Sequence, residues 1–476
     1  MSFRRQRNKT SGFEKGDEQK METMTLKEII SAVHGSYGYP ADTAVTEIST
    51  DTRTISKGSV FVALAGANFD GHDYAAKAME LGAEAVITER PVEGARCIIV
   101  DSTRKALLDA AGYYRSKFDI KLVGITGSVG KTTTKDMIAC VLSQSFKTLK
   151  TQANFNNEIG MPKTLFGLDK SFEAAVIEMG MNHPGEISRM SMSAQPDAAV
   201  ITNIGVSHIE NLGSQENILK AKLEILDGAK YNAPLILSRD DKLLYSLKDK
   251  SSGRPIMYYS LNKKDCDVYA SDVKLSSEGV SFDINYRGEK LRAELQCPGE
   301  HNVRNALAAF CVGVTLGMET DKIIAGLAEF KPEGLRQNIV RKDGITYIVD
   351  CYNAAPDSMK AALSLLASSD TKGRRFCLLA DMLELGKNTR TYHKSVGEMV
   401  PSSKADRLYT FGENSQFYID GAVKKGFPAD ACERFESRKA MAERLSEELK
   451  EGDCVLLKGS RGMKLEEVFK ALTEKS

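Results

Sequence analysis

Continuous apolar runs dominate the hydrophobic pattern of this chain, and they are short. VFVAL (60–64), EAVIT (84–88) and RCIIV (96–100) have the character of strands buried on both faces of an α/β sheet. The segments 58–64 and 84–88 therefore predict strands, with the helical pattern AAKAMELG between them. Before them, LKEIISAVHG predicts a short amphipathic helix. From residue 109 the rhythm is strand, glycine-rich turn, helix: KLVGIT, then GSVGK, then TTTKDMIACVLSQS. AAVIEMG and AAVITNIG predict further strands with polar residues at their carboxyl ends, the edge where open α/β sheets bind ligands. SFDINYRGEKLRAELQC alternates around Arg287-Gly288 and predicts a β-hairpin. HNVRNALAAFCVGVTLG predicts a helix with a buried small-residue face. Beyond 336, ITYIVD, RFCLLAD, RLYTFG and DCVLLKG alternate with helical stretches near 356–368, 388–400, 415–425 and 437–450, a second doubly wound unit. No repeat of 20 to 50 residues is present.

At about 150 residues per domain, 476 residues suggest roughly three domains. The pattern divides them as a first block over 21–108, a central block over 109–335 and a last block over 336–476. Residues 1–20 are polar, lack the apolar core of a secretory signal, and read as a disordered tail. A net charge of +1 gives no broad footprint for nucleic acid. The apolar runs, such as 174–177, are far too short to enter a membrane as a span. Nine cysteines are scattered singly with no C-x-x-C pair, which favours a reducing, cytoplasmic setting with small buried thiols.

The strongest chemical signal is GITGSVGKTTT at 124–134. A glycine-rich turn between strand and helix brings backbone N–H groups close to phosphate oxygens, and the helix N-terminus favours the anion. Gly127, Ser128, Val129, Gly130, Lys131, Thr132 and Thr133 are the candidate loop. Lys131 would reach the β- and γ-phosphates of ATP, and the Thr132 hydroxyl would ligate Mg²⁺. The strict phosphate-loop pattern has glycine six residues before the lysine, where this chain has Ile125. Glu178 closes one strand and His208 follows another, so both fall on the edge that carries the loop. A carboxylate and an imidazole there are reasonable Mg²⁺ ligands; a solvated strand end and an ordinary loop histidine are the plainer alternatives.

T-G-S-V-G-K-T-T resembles the phosphate loop of the Mur ligases and folylpolyglutamate synthases, a superfamily of ATP-dependent amide ligases. The resemblance runs from about residue 24 to 470. It implies a three-domain architecture: a domain for a uridine-linked substrate, a central P-loop ATPase-like parallel sheet, and a C-terminal Rossmann-like domain. It also implies that Glu178 and His208 bind magnesium, and that Lys222, in A-K-x-E-I, is the superfamily's carbamylated lysine, acting with Lys131 in catalysis. An exposed helix lysine is the plainer reading of Lys222. Asn302 and Asn305 in GEHNVRNALAA match nucleotide contacts, or else helix-capping amides. Arg336 matches a phosphate-clamping arginine, or else an ordinary salt-bridge partner. DCYNAAPDSM places Asp350, Tyr352 and Asn353 at the ATP cleft. KGSRGMKLEEV and ADMLELG resemble closing elements of the same domain.

STDTRTISKGSVFVALAGANFDGHDY resembles the uridine-nucleotide domain of the tripeptide-using branch, with Asp51-Thr52-Arg53 where D-S-R is usual. NFNNEIGMP and EMGMNHPGEI point to the same branch. Thr52, Arg53, Asn156 and Asn157 are the implied substrate contacts. The implied reaction joins D-alanyl-D-alanine to UDP-N-acetylmuramoyl-tripeptide through an acyl phosphate, with ATP and Mg²⁺, in a cytoplasmic monomer. Another amide ligase of the superfamily, adding the third residue or extending folate, and a nonenzymatic ATP-binding regulator are the alternatives.

Overall fold

The protein is described by a computed structural model over residues 21–66, 68–248, 253–332 and 338–474. The tail read at 1–20 and the candidate Arg336 lie outside the described residues. Contacts group the chain into two compact units, Met1–Ala110 with Phe166–Asp169, and Ala111–Leu165 with Lys170–Ser476.

In the first unit four parallel strands, Glu47–Ser49, Ser59–Val62, Ala85–Thr88 and Cys97–Ile99, lie side by side in chain order. The strands are apolar on both faces, as the continuous runs require, and Phe61, Ala75, Ala78 and Val86 form a small core with the helix Ala75–Glu80. The helix Leu26–Ala32 starts at Thr25, whose hydroxyl accepts the Glu28 N–H while Glu28 Oε2 accepts the Thr25 N–H, a capping box. A helix, Thr103–Ser116, runs through residue 108, where the sequence pattern ends its first block.

The second unit holds two sheets. The nine-stranded sheet places Lys121–Thr126 between Ala174–Glu178 and Ala198–Ile201, all parallel. After leaving Lys121–Thr126 the chain builds strands first on one side of it, Thr148–Lys150 and Ala174–Glu178, then crosses to Ala198–Ile201, Leu235–Ser238 and Ile256–Ser260 on the other. That strand is therefore the switch point, the place where open α/β sheets bind ligands at their carboxyl ends. The predicted hairpin is Val280–Tyr286 with Glu289–Leu295, joined by Arg287 and Gly288, both at positive φ. It extends the sheet with antiparallel strands. Val123 and Ile125 pack against Met137, Ile138 and Val141 of the helix Lys131–Leu142, and the helix Glu300–Thr315 covers the same core.

The six-stranded sheet carries Ile345–Asp350, Cys454–Lys458, Arg375–Ala380, Arg407–Phe411 and Cys432–Phe435 in parallel, with Asn338–Lys342 added antiparallel at one edge. The helix over 356–368 begins at Pro356, whose fixed φ suits a first turn. At the carboxyl edge Asp350 and Lys458 are cross-strand neighbours and form an ion pair at 2.9 Å, both buried. Lys458 also donates to the Asn353 carbonyl at 2.5 Å. Lys458→Met will leave the Asp350 charge buried without its partner and cost about 3–5 kcal/mol. Urea denaturation of the variant will show the lowered midpoint, and adding Asp350→Asn will recover part of it.

Candidate functional site

The phosphate loop follows the central strand, and its shape is set by two glycines. Gly130 has φ +85 and a Cβ there would stand 3.0 Å from Asn305 Oδ1, while a Cβ at Gly127 would meet Thr202 Oγ1 at 1.9 Å. The neighbouring strand end braces the loop from below. Ser128 N–H donates to the Asn203 carbonyl at 3.0 Å, Val129 N–H to Asn203 Oδ1 at 3.0 Å, and the Thr202 hydroxyl to the Val129 carbonyl at 2.7 Å. The first helical residue is Lys131, whose Nζ donates to the Gly127 carbonyl at 2.8 Å. The ammonium thus lies folded over the loop's own backbone.

Glu178 is not a solvated strand end: only 1% of it is exposed. Its Oε2 accepts from the Thr132 hydroxyl and its Oε1 from Asn156 Nδ2, each at 2.8 Å, and its N–H donates to Thr151 Oγ1 at 3.0 Å. Lys135, one turn into the loop helix, is buried and donates to the Thr151 carbonyl at 2.8 Å. The sequence pattern missed Lys135; its place among Thr134, Met137 and Ile138 on the inward helix face was the available signal.

Lys222 is not an exposed helix lysine. It is 2% exposed, burial is the main cause and the Lys131 cation the second of an ammonium pKa held well below the usual lysine range, and among the described residues no carboxylate pairs with it. A lysine in such a place is readily a neutral amine. His208 has φ +63, and its Nδ1 lies 2.7 Å from Glu384 Oε2. The contact with His208 is the main cause that holds Glu384 below its ordinary carboxylate value.

The two asparagines of the Glu300–Thr315 helix differ. Asn305 Oδ1 accepts from the Thr134 hydroxyl at 3.1 Å, linking this helix to the phosphate-loop helix. Asn302 donates to the Pro298 carbonyl at 2.8 Å and accepts from Asn305 Nδ2 at 3.1 Å, so its amide serves the helix start. Asn157 Oδ1 accepts the N–H groups of Ile159 and Gly160, fixing the start of the helix Gly160–Phe166. Asn353 Oδ1 accepts the Ala354 N–H at 2.8 Å, and the Arg461 guanidinium lies 6.0 Å from the Tyr352 ring. In the first unit Thr52 and Arg53 open a short 3-10 turn, where Asp51 accepts the Arg53 N–H and pairs with its guanidinium at 2.6 Å.

Among the described residues no three His, Cys, Asp or Glu side chains converge as a metal cluster. The donors read from the sequence do not need such a triple, since they include a hydroxyl and a modified lysine. A buried carboxylate bonded to a hydroxyl at the first turn after a phosphate loop offers hard oxygens, which fits Mg²⁺. No helix among the described residues is long and apolar enough to cross a membrane.

Three family patterns match the chain: "Mur ligase family, catalytic domain" over 44–112, "Mur ligase middle domain" over 125–313, and "Mur ligase, glutamate ligase domain" over 335–461. A UDP-N-acetylmuramoyl-tripeptide–D-alanyl-D-alanine ligase of Bacillus subtilis is 40% identical over 460 residues, covering 94% of this chain and 98% of its own. The crystal structure of MurF from Acinetobacter baumannii superposes with a TM-score of 0.89 at 30% identity, covering 96% of this chain and 100% of the other. MurF ligase from Thermotoga maritima in complex with ADP superposes with a TM-score of 0.80 at 29% identity, covering 90% and 96%.

Proposed function

The chain belongs to the Mur ligase family, and from that premise we propose how its residues form an amide bond. It is an ATP-dependent ligase that joins D-alanyl-D-alanine to UDP-N-acetylmuramoyl-tripeptide in peptidoglycan synthesis. The tripeptide's terminal carboxylate attacks the γ-phosphorus of ATP; the bond to the β-phosphate oxygen breaks and ADP leaves. The D-alanyl-D-alanine amine then attacks the acyl carbon of the resulting acyl phosphate. The carbon–oxygen bond to phosphate breaks, phosphate leaves, and the nitrogen gives up a proton.

The loop Gly127, Ser128, Val129, Gly130, Lys131, Thr132 and Thr133 supplies the phosphate cradle. Lys131 leaves the Gly127 carbonyl and moves onto the transferring phosphoryl group, where fixed positive charge lowers the barrier. Thr132, Glu178, His208 and a carbamylated Lys222 would hold Mg²⁺, which when bound neutralises phosphate charge. The Thr132 hydroxyl donates its hydrogen bond to Glu178, so its lone pairs stay free. Asn302, Asn305, Arg336, Asp350, Tyr352 and Asn353 are the proposed nucleotide contacts. Thr52, Arg53, Asn156 and Asn157 are the proposed contacts to the uridine-linked substrate, and at Asn156 such a contact would compete with its bond to Glu178. The proposed division is a uridine-substrate block over 21–108, an ATP-binding block over 109–335 and a C-terminal Rossmann-like block over 336–476 that completes the ATP cleft. All these groups lie on one chain, so a monomer suffices, and free thiols together with ATP use favour work in the cytoplasm.

The observation that carries the residue assignment is the direct bond from the phosphate-loop Thr132 to the buried Glu178. An assay of ADP release over a matrix of acyl donors and amines tests the reaction. Turnover is expected with the uridine-linked tripeptide plus D-alanyl-D-alanine. Turnover with folate and glutamate, or with a single amino acid on the uridine-linked dipeptide, would overturn the reading.

A further inference from the structure

We infer that Glu384 is a positioning residue for His208, holding the imidazole by its Nδ1 from the neighbouring sheet so that Nε2 is the nitrogen left to bind a cation. The inference rests on the reading of His208 as a metal ligand.

His208 stands on the loop that leaves the nine-stranded sheet, just before the short helix Ile209–Leu212. Glu384 stands on the loop after Arg375–Ala380 in the six-stranded sheet. Nothing in the chain's local pattern brings them together; the packing of the two sheets does. Val206 packs into the core formed by Ile348, Met359 and Leu379 on the six-stranded side. A Cβ at Gly386 would lie 3.2 Å from Glu210 Cα, so the two loops are pressed together with no space for a larger residue. In that contact the Glu384 carboxylate reaches 2.7 Å from His208 Nδ1, an ion pair whose ring N–H is not yet aligned as a hydrogen bond.

Both residues have φ +63, the left-handed region that side chains other than glycine seldom adopt. Two such residues meeting through their side chains carry backbone strain that the surrounding structure must offset. An ionised carboxylate only accepts, so its close approach favours the tautomer with the proton on Nδ1 and the lone pair on Nε2. A carboxylate on the far nitrogen fixes the tautomer and ring of a metal-binding histidine and raises its basicity. Here that carboxylate comes from the other sheet. A nitrogen ligand is therefore fully oriented only while the six-stranded sheet is docked on the His208 loop.

The test uses the full-length protein with Mn²⁺ and a non-hydrolysable ATP analogue, read by electron paramagnetic resonance. Wild type is expected to bind Mn²⁺ with ¹⁴N modulation from one imidazole. His208→Ala removes the modulation. Glu384→Gln weakens Mn²⁺ binding roughly 10-fold, as loss of an outer partner does, and reduces the modulation. Glu210→Gln, an exposed acid on the same loop, controls for loss of charge and leaves both unchanged. Full affinity and undiminished modulation in Glu384→Gln, with His208→Ala defective, would overturn the positioning role alone. A His208→Ala protein indistinguishable from wild type would instead remove His208 from the metal site, and the inference with it. Equal loss in Glu210→Gln and Glu384→Gln would reduce the effect to general charge and overturn the proposal.

Discussion

Lys131→Ala will lose on the order of 10²–10³-fold or more in turnover, the scale set by removing one preorganised group from a developing charge. Its fold will survive. In the structure Lys131 Nζ makes a bond to the Gly127 carbonyl that water can replace, and the loop's shape is held by Asn203, Thr202 and two glycines instead. For a chain this long, roughly 1 kcal/mol moves the thermal midpoint by only about one degree, so the midpoint of the variant is expected within about a degree of wild type. One side effect has a known sign. Lys131 helps to hold the Lys222 ammonium pKa down, so its removal lets Lys222 keep its proton to higher pH. Lys131→Met shares that effect, whereas Lys131→Arg keeps the nearby cation. Measuring turnover and ATP-analogue affinity for all three separates loss of the phosphate contact from loss of the Lys222 modification. Near-normal turnover in a folded Lys131→Ala protein would remove the loop from the chemistry.

The strands that carry the site were legible because each is a short apolar run that ends in a polar residue. KLVGIT matches Lys121–Thr126 residue for residue, and the first five residues of AAVIEMG are the strand Ala174–Glu178. Thr148–Lys150 and Asn338–Lys342 were not legible. Each lies at a sheet edge, where three to five residues show too little period and pairing with a neighbour decides the structure. The same holds among the site residues. Lys131 and Thr132 follow from local glycine spacing, and Glu178 from the strand it closes. The burial of Lys222 does not follow from its helix, since a long charged side chain goes to the surface by default and only tertiary packing reverses that. Helix capping was the plainer alternative for Asn302 and the structure uses its amide there, whereas Asn157, read only as a substrate contact, also fixes a helix start. Glu384 sits in ADMLELG with no local mark of its role, because its partner belongs to another sheet.

Lys222→Ala will be nearly inactive, and short carboxylates such as acetate or formate will restore part of the rate. Loss of an outer-shell partner of a metal costs roughly 10–100-fold, so loss of the ligand itself should exceed that. The reason lies in the unmodified side chain. A buried ammonium beside Lys131, with no carboxylate paired to it among the described residues, is unfavourable in place. In the unfolded chain the amine titrates near its ordinary 10.5, and in the folded chain well below. Between those values the unfolded chain binds the extra proton, so the penalty is full at low pH and fades as pH rises toward 10.5. Carbamylation removes the penalty by another route. The neutral amine attacks carbon dioxide, a nitrogen–carbon bond forms, one proton goes to solvent, and an anion replaces the cation beside Lys131. Bicarbonate at mildly alkaline pH should therefore raise the denaturation midpoint of wild type against carbon-dioxide-free buffer, and should leave Lys222→Ala unmoved. Carboxylate rescue is expected because the alanine leaves a cavity where a small anion can take the place of the carbamate oxygens. Equal bicarbonate responses in wild type and variant, together with no rescue, would show that Lys222 works as a plain amine or only as packing.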